Sequence, residues 1–176
     1  MTYLTTERLI LRQWQPSDIE PCIEMNADAE TMRYFPSVLS PETTREHLAR
    51  WSGLIDQYGW GLFAVESRET GEFVGTVGLV QTRDNMPFDP CVEIGWRLRR
   101  EFWNQGFATE ATTEVLRFAY SDLGLSRVIS ITAKINVPSQ RVMEKIGLVD
   151  SGQDFMHPSI DARHELALHV LYETPA

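Results

Sequence analysis

The sequence predicts a mixed α/β domain in which strands and helices alternate around one sheet, and three observations predict it. Between Cys91 and Ala111 the apolar spacing changes period. Val92, Ile94, Trp96 and Leu98 alternate with Glu93, Gly95, Arg97 and Arg99, the pattern of a strand with unlike faces. From Ala108 onward the apolar positions fall at Ala111, Val115, Phe118, Ala119 and Leu123, which is helical spacing with one buried stripe. A second strand, Val128 to Ala133, again runs into a helix, with Pro138 tolerated in its first turn and Gly147 as its stop. Finally, Leu62 to Ser67 and Phe73 to Gln81 flank Glu69-Thr70-Gly71-Glu72, the signature of a hairpin.

The remaining elements follow in chain order. Arg8 to Gln13 reads as the first strand, and Pro16 to Met25 as a short helix with proline near its start. Tyr34-Phe35-Pro36 interrupts the chain. Ser40 then caps a helix that has Pro41 just inside it and continues to Gln57, before Gly59 and Gly61 break it. The loop Thr82 to Pro90 carries Asp84, Asp89 and two prolines and leads into the strand at Val92. Leu148 to Phe155 and Glu165 to Tyr172 read as closing strands. The whole span 1–176 is expected to form a single domain, since its 176 residues are enough for one buried core and too few for two.

The junction at Asn104 to Gly106 is the richest in chemistry. A helix opening there points its first unpaired N–H groups, and the positive end of its dipole, at the carboxyl end of the preceding strand. Gly106 has no Cβ, so an anion can approach that backbone closely. A strand, a glycine turn and a helix also occur as a plain connection.

Composition sets bounds. No run approaches the roughly 18 apolar residues of a membrane span, and the first residues lack the pattern of a signal peptide, so the cytoplasm is the expected compartment. The two cysteines, Cys22 and Cys91, have neither metal-ligand nor disulfide spacing, and no metal is expected. A net charge of −9 argues against a nucleic-acid groove and leans toward a cationic substrate.

Taken jointly, Glu93-Ile-Gly-Trp…Trp103-Asn-Gln-Gly106-Phe-Ala108-Thr-Glu-Ala111 and Asn136-x-x-Ser139-x-x-Val-x-x-Lys145-x-Gly147 resemble the acetyl-CoA-binding core of the GNAT N-acetyltransferases, and more narrowly the RimJ/RimL-type branch. The resemblance extends to Thr6-Glu-Arg-Leu-Ile-Leu-Arg12, to Ala64-Val-Glu…Thr70-Gly-Glu-Phe-Val-Gly75 and to Phe155-Met-His157-Pro158…His169-Val-Leu-Tyr172, and so covers nearly the whole chain. It implies a mostly antiparallel mixed sheet of six to seven strands flanked by helices, with the central strands splayed to admit acetyl-CoA (coenzyme A). It also implies transfer of an acetyl group from a thioester to a primary amine.

Carried over residue by residue, the resemblance places the pyrophosphate on the amides of Gln105, Gly106, Phe107 and Ala108, with the Thr109 hydroxyl in reach. The thioester carbonyl would meet backbone near Leu98. Two positions depart from the family pattern: Asn104 stands where a first glycine is usual, and Glu101 where glutamine or arginine is common. Asparagine tolerates positive φ well, so the turn survives on paper. Glu101 is repulsive toward phosphate unless it points away, and Arg99, Arg100 and Arg141 are candidates to offset it. Asn136 is a candidate for the pantetheine arm or a catalytic water, and equally an N-cap for the helix that follows. Ser139 is the candidate proton donor to the departing thiolate, because the family's tyrosine position holds Met143. Glu93 is the candidate base through a water chain, with His157 and His169 as alternatives; a structural role is the competing account for each.

For the acceptor, the sequence offers Trp14, Tyr34, Phe35, Trp60 and His157, together with the loop from Phe155 to Arg163. The competing account for each aromatic is core packing. Holding a lysine side chain neutral at pH 7 costs roughly 3 to 4 kcal/mol more than holding an α-amine neutral, from their reference pKa values. That tilts the expectation toward a protein or peptide N-terminal α-amine of the ribosomal-protein type. The alternatives are a small-molecule amine (aminoglycoside, polyamine or amino-acid derivative) and a catalytically silent acyl-CoA-binding module. Partners are then an amine acceptor, with no nucleic acid and no membrane; a monomer and a homodimer fit equally well.

Overall fold

The computed structural model describes residues 1–82, 85–88 and 90–175; Asp84 and Asp89, two of the residues singled out in the loop before the first motif strand, lie outside the described residues along with Arg83 and Ala176. In chain order the elements are β1 (Thr2–Thr5), β2 (Leu9–Arg12), α1 (Ile19–Ala27), α2 (Pro41–Tyr58), β3 (Leu62–Ser67), β4 (Phe73–Gln81), β5 (Val92–Leu98), α3 (Phe107–Ser121), β6 (Val128–Ala133), α4 (Val137–Lys145), β7 (Val149–Asp150), β8 (Phe155–Met156) and β9 (Leu168–Glu173). Short 3-10 turns at Pro16–Asp18 and Arg100–Phe102 precede α1 and follow β5.

Among the described residues the sheet has nine strands in the order β1-β2-β3-β4-β5-β6-β9-β7, with β8 also on β9. Every neighbouring pair is antiparallel except β5–β6. The hairpin β3–β4 has the bounds the sequence predicts. Helix α2 also starts as predicted, with Ser40 Oγ accepting the Thr43 N–H at 3.1 Å, and ends against Gly59 at φ 76°.

Nine strands rather than six to seven require two corrections. β1 is an extra edge strand that pairs with β2. Its four residues are too few for an alternation to declare itself. The expected strand Leu148 to Phe155 is broken into β7 and β8, both hydrogen-bonded to β9. The break is local side-chain chemistry: Asp150 Oδ1 accepts the Gly152 N–H at 2.9 Å, Ser151 Oγ accepts the Gln153 N–H at 3.1 Å, and Gly152 takes φ 68°. Such turns compete with a ladder for the same amides. The last strand likewise begins at Leu168 rather than Glu165, because the Leu166 N–H is taken by His164 Nδ1 at 3.1 Å.

The two faces of the sheet are covered differently. One carries α3 and α4, with Val92, Ile94 and Leu98 of β5 joining Ala111, Val115, Ala119 and Met143 in the larger core cluster. The other carries α1 and α2, where Cys22, Met25, Leu48 and Trp51 pack with Ala64 and Phe73. Arg12, buried on β2, fastens the second layer: it is bidentate to Asp18 at 2.7 and 2.9 Å and also reaches Glu66 at 2.6 Å.

Candidate active site

The parallel pair β5–β6 holds only two matched positions, Val92 with Val128 and Glu93 with Ile129. Beyond them β5 stays with β4, continuously from Gln81–Val92 to Gly75–Leu98, while β6 stays with β9. A single side-chain stitch follows the last pair, the Ser130 hydroxyl donating to Ile94 O at 3.0 Å. The strands therefore open a wedge from Ile94 to Leu98, with Glu93 at its apex.

At the wide end of the wedge the chain turns through the 3-10 segment into α3. Asn104 is at φ 58° and is the one non-glycine at positive φ among the described residues; Gly106 follows at φ 82° as the α3 N-cap. The departure from glycine at position 104 is thus accommodated by the left-handed conformation that asparagine adopts most easily. No side chain caps α3, in contrast to Ser40 on α2 and Asn136 on α4. A helix N-terminus without a capping oxygen keeps its first-turn amides available to an anion. The predicted cradle Gln105, Gly106, Phe107, Ala108 and Thr109 is therefore fit in backbone terms for a pyrophosphate.

Two further groups hold this turn, and sequence inspection did not single them out. Glu110, in the first turn of α3, accepts from Thr6 Oγ1 at 2.6 Å, from the Arg8 backbone N–H at 2.8 Å and from Arg8 Nε at 2.6 Å. Arg8 also donates to Gln105 O at 2.9 Å and lies 4.4 Å over the Phe107 ring. Burial works against the Glu110 carboxylate, but these hydrogen bonds and the Arg8 charge outweigh it and hold its pKa below the usual range. The acid that would oppose an incoming phosphate is thereby neutralised. An acidic residue in a first helical turn is a signal the sequence displays; its partner, about a hundred positions away, is not.

Glu101, the other electrostatic problem, is turned onto Arg99 at 2.6 Å. Arg99 also donates to Phe73 O at 3.2 Å, and Arg99 and Arg100 line a shallow cavity with Glu24, Met25, Asp28 and Thr31 of the α1 side. Arg99 and Arg100 are thus drawn toward α1. Arg141 is exposed on α4, and Leu98 O accepts the Trp103 indole N–H at 2.8 Å, which sets the exit of β5.

Asn136 and Ser139 are brought together. Asn136 Oδ1 caps the Ser139 N–H at 3.3 Å, and Nδ2 donates both to Thr132 Oγ1 at 2.8 Å and to Ser139 Oγ at 3.0 Å. Both amide hydrogens of Asn136 are committed, so it orients Ser139 and leaves the serine O–H proton to point elsewhere. Met143, at 1% exposure, belongs to the core.

The aromatic candidates separate. Trp14 donates its indole N–H to Leu62 O at 2.8 Å and packs, half-buried, against Trp51 and Phe73, as the core-packing account of this residue expects. Trp60 packs against the larger core cluster and meets the Tyr58 ring at 6.3 Å, and Tyr34 lies under Arg33 at 4.7 Å. Phe35 is exposed and lies under the Arg97 guanidinium at 4.1 Å. His157 stacks on His169 at 4.8 Å, and His169 in turn meets Phe155. Burial, then the nearby His157, pushes His169 down to about 4, leaving a neutral ring at pH 7. Cys22 is buried and its thiol is pushed up to about 12, mainly by desolvation.

No group of three or more potential metal ligands occurs among the described residues, and no helix among them is long and apolar enough to cross a membrane.

The sequence profile of the acetyltransferase (GNAT) domain matches residues 8–149. The chain is 30% identical over 154 residues to the uncharacterized N-acetyltransferase YoaA of Bacillus subtilis (strain 168), covering 85% of this chain and 84% of that protein. Its structure is similar to that of a GNAT-family acetyltransferase from Bacillus anthracis, with a TM-score of 0.81 at 28% identity over 98% of this chain and 97% of the other. A complex of RimL, a ribosomal L7/L12 α-N-protein acetyltransferase, with coenzyme A shares the fold at a TM-score of 0.76 and 14% identity, over 98% and 97% of the two chains. The wedge, the uncapped glycine turn and these likenesses agree: the chain belongs to the GNAT family of acetyltransferases and is an acetyl-CoA-dependent N-acetyltransferase.

Proposed function

We propose that this enzyme, as a single catalytic unit over residues 1–176, acetylates the α-amine of a protein or peptide N-terminus, as expected of the RimJ/RimL-type branch. The observation that carries the site assignment is the uncapped α3 N-terminus at the mouth of the β5–β6 wedge. Bound acetyl-CoA supplies an acetyl group activated as a thioester. The first-turn amides from Gln105 to Ala108 hold the pyrophosphate, and the splayed backbone leading to Leu98 orients the acyl end. Ser139, with its oxygen already accepting from Asn136, holds a proton ready for the departing thiolate. Glu93, at the apex of the wedge, draws a proton from the acceptor amine through water.

The α-amine is favoured by the bases on offer. An imidazole held near 4 is too weak to deprotonate a lysine ammonium, whereas an α-amine near 8 is already partly neutral at pH 7. The fold shared with an α-N-protein acetyltransferase supports the same choice at the level of the scaffold.

Thiol release from acetyl-CoA across peptides with free N-termini, polyamines, aminoglycosides and amino acids tests this, with Asn136→Ala alongside. Peptides are expected to give the highest kcat/KM, and Asn136→Ala to lower kcat by at least about tenfold through the loss of an oriented proton donor. A preference for polyamines or aminoglycosides would replace the peptide with a small molecule. Acetyl-CoA binding with no turnover on any amine would leave only the silent module.

A further inference from the structure

On the face of β5 opposite α3, the side chains of Glu93, Gly95 and Arg97 follow one another at strand spacing. A Cβ built on Gly95 would meet nothing within 4 Å, so this strip has open space above its middle. The other face of β5 is closed by the α3 core, so an acceptor reaches the wedge along the Glu93–Gly95–Arg97 side.

Arg97 is unusual in its partners. Nη1 donates to Asn26 Oδ1 at 2.6 Å, and Phe35 covers one face at 4.1 Å. Asn26 is itself fixed in α1 by donating to Thr44 Oγ1 at 3.3 Å and to Cys22 Sγ at 3.6 Å, which turns its oxygen toward the guanidinium. Arg97 Nε is buried without a hydrogen-bond partner, and among the described residues no carboxylate forms an ion pair with this cation, whereas Arg12 and Arg99 each have one. Desolvation lowers its pKa to about 10, and the one opposing influence is the nearby Cys22 thiol rather than a carboxylate. Taking a cation out of water without an anion is costly, and Arg97 as a whole residue is half-buried rather than fully enclosed. A fork with one edge fixed and its counter-ion missing matches a planar carboxylate.

We infer that Arg97 recognises a carboxylate on the acceptor, so that the preferred substrate presents its amine toward Glu93 and an acid group toward Arg97, four residues and about 13 Å further along the backbone of β5 with Gly95 between them. For a peptide acceptor this means an acidic side chain at the first or second position; a free amino acid would supply its own α-carboxylate. The inference rests on the transferase function proposed above only for where the amine sits. The overall charge of −9 acts on the approach of an anion, whereas a partly desolvated guanidinium acts on its residence.

The test compares acceptors that differ only in an acid or its amide: peptides beginning Asp or Asn, or Glu or Gln, and free glutamate or glutamine. Each is assayed for kcat/KM on the wild type, Arg97→Gln, Arg97→Lys and Gly95→Ala. The wild type is expected to prefer the acid by about 10- to 100-fold. Arg97→Gln should bring the acid-to-amide ratio close to one, and Arg97→Lys should keep part of it. Gly95→Ala should raise acceptor KM without lowering Tm. Preference among peptides but not free amino acids assigns the carboxylate to a side chain. A wild type that does not discriminate overturns the inference, as does an Arg97→Gln variant that loses activity on acid and amide equally. Calorimetric titration of the same peptides into the acetyl-CoA complex decides the matter even without turnover. Tighter binding of the acid that Arg97→Gln abolishes supports the carboxylate site although the transferase reading has failed; equal binding of acid and amide overturns it.

Discussion

Asn104 shows how one side chain decides whether the turn that opens α3, the proposed pyrophosphate cradle, can form. It stands at φ 58° beside Gly106 at φ 82°, and the backbone between them leads straight into the uncapped helix. An L-residue pays about 1 kcal/mol or more in this conformation, least for asparagine. Asn104→Gly should therefore leave stability and acetyl-CoA KM close to wild type. Asn104→Val should destabilise by about 1 to 2 kcal/mol in urea unfolding and raise that KM. Equal behaviour of the two variants would mean that the conformation of the turn does not govern cofactor binding. Ser139 and Arg97 are residue-scale cases of another kind, because a neighbouring asparagine determines where each can point. Asn136 occupies the serine oxygen and Asn26 one edge of the guanidinium.

Elements are held in place by ion pairs between sequence-distant segments. Arg8 and Glu110 tie the β1–β2 edge to the first turn of α3, and so to the cofactor turn. Arg12, Asp18 and Glu66 tie β2 and β3 to the turn that starts α1. Arg12 and Asp18 are both almost wholly buried, and the Asp18 hydrogen bond is foremost in raising the Arg12 pKa against the opposing effect of burial. Removing one partner leaves a buried charge uncompensated. Asp18→Ala should cost about 3 to 5 kcal/mol by chemical denaturation, whereas Arg12→Met paired with Asp18→Leu should recover much of that loss. A loss below about 1 kcal/mol for Asp18→Ala would show that the pair is open to solvent.

Across the whole molecule, pH should act on stability before it acts on the cofactor site. The folded His169 pKa of about 4 lies below the ordinary 6.5, so folding favours the neutral ring. Its contribution is complete above about pH 6.5 and drains away as pH falls toward 4, because the unfolded chain binds the proton first. Glu110, with its pKa lowered, keeps its contribution until pH drops below the ordinary carboxylate range. Between pH 7 and pH 5 the Tm should therefore fall, and His169→Gln should flatten that slope. An unchanged slope in the variant would show that His169 is not the group responsible.

The order of the helices, the β3–β4 hairpin and the glycine turn were legible in the sequence because each rests on local chemistry: a period of two or of 3.6, a cap, a proline, a residue able to take positive φ. The candidate residues Gln105 to Thr109, Asn136 and Ser139 could be singled out for the same reason, since each strand-to-helix junction gathers its polar groups within a few positions. The ninefold strand count was not legible, because β1, β7 and β8 are too short to show a period and owe their pairing to partners elsewhere in the sheet. Nor were the neutralisation of Glu110 by Arg8, the bond of the Trp14 indole to Leu62, or the contact of Arg97 with Asn26. By itself the sequence determined the family, the fold class and the positive-φ turn that opens α3. Only the tertiary structure decided which charges are paired and which are buried without a carboxylate, because pairing and desolvation depend on what other segments bring within a few ångströms, and those segments lie tens of residues apart in the chain.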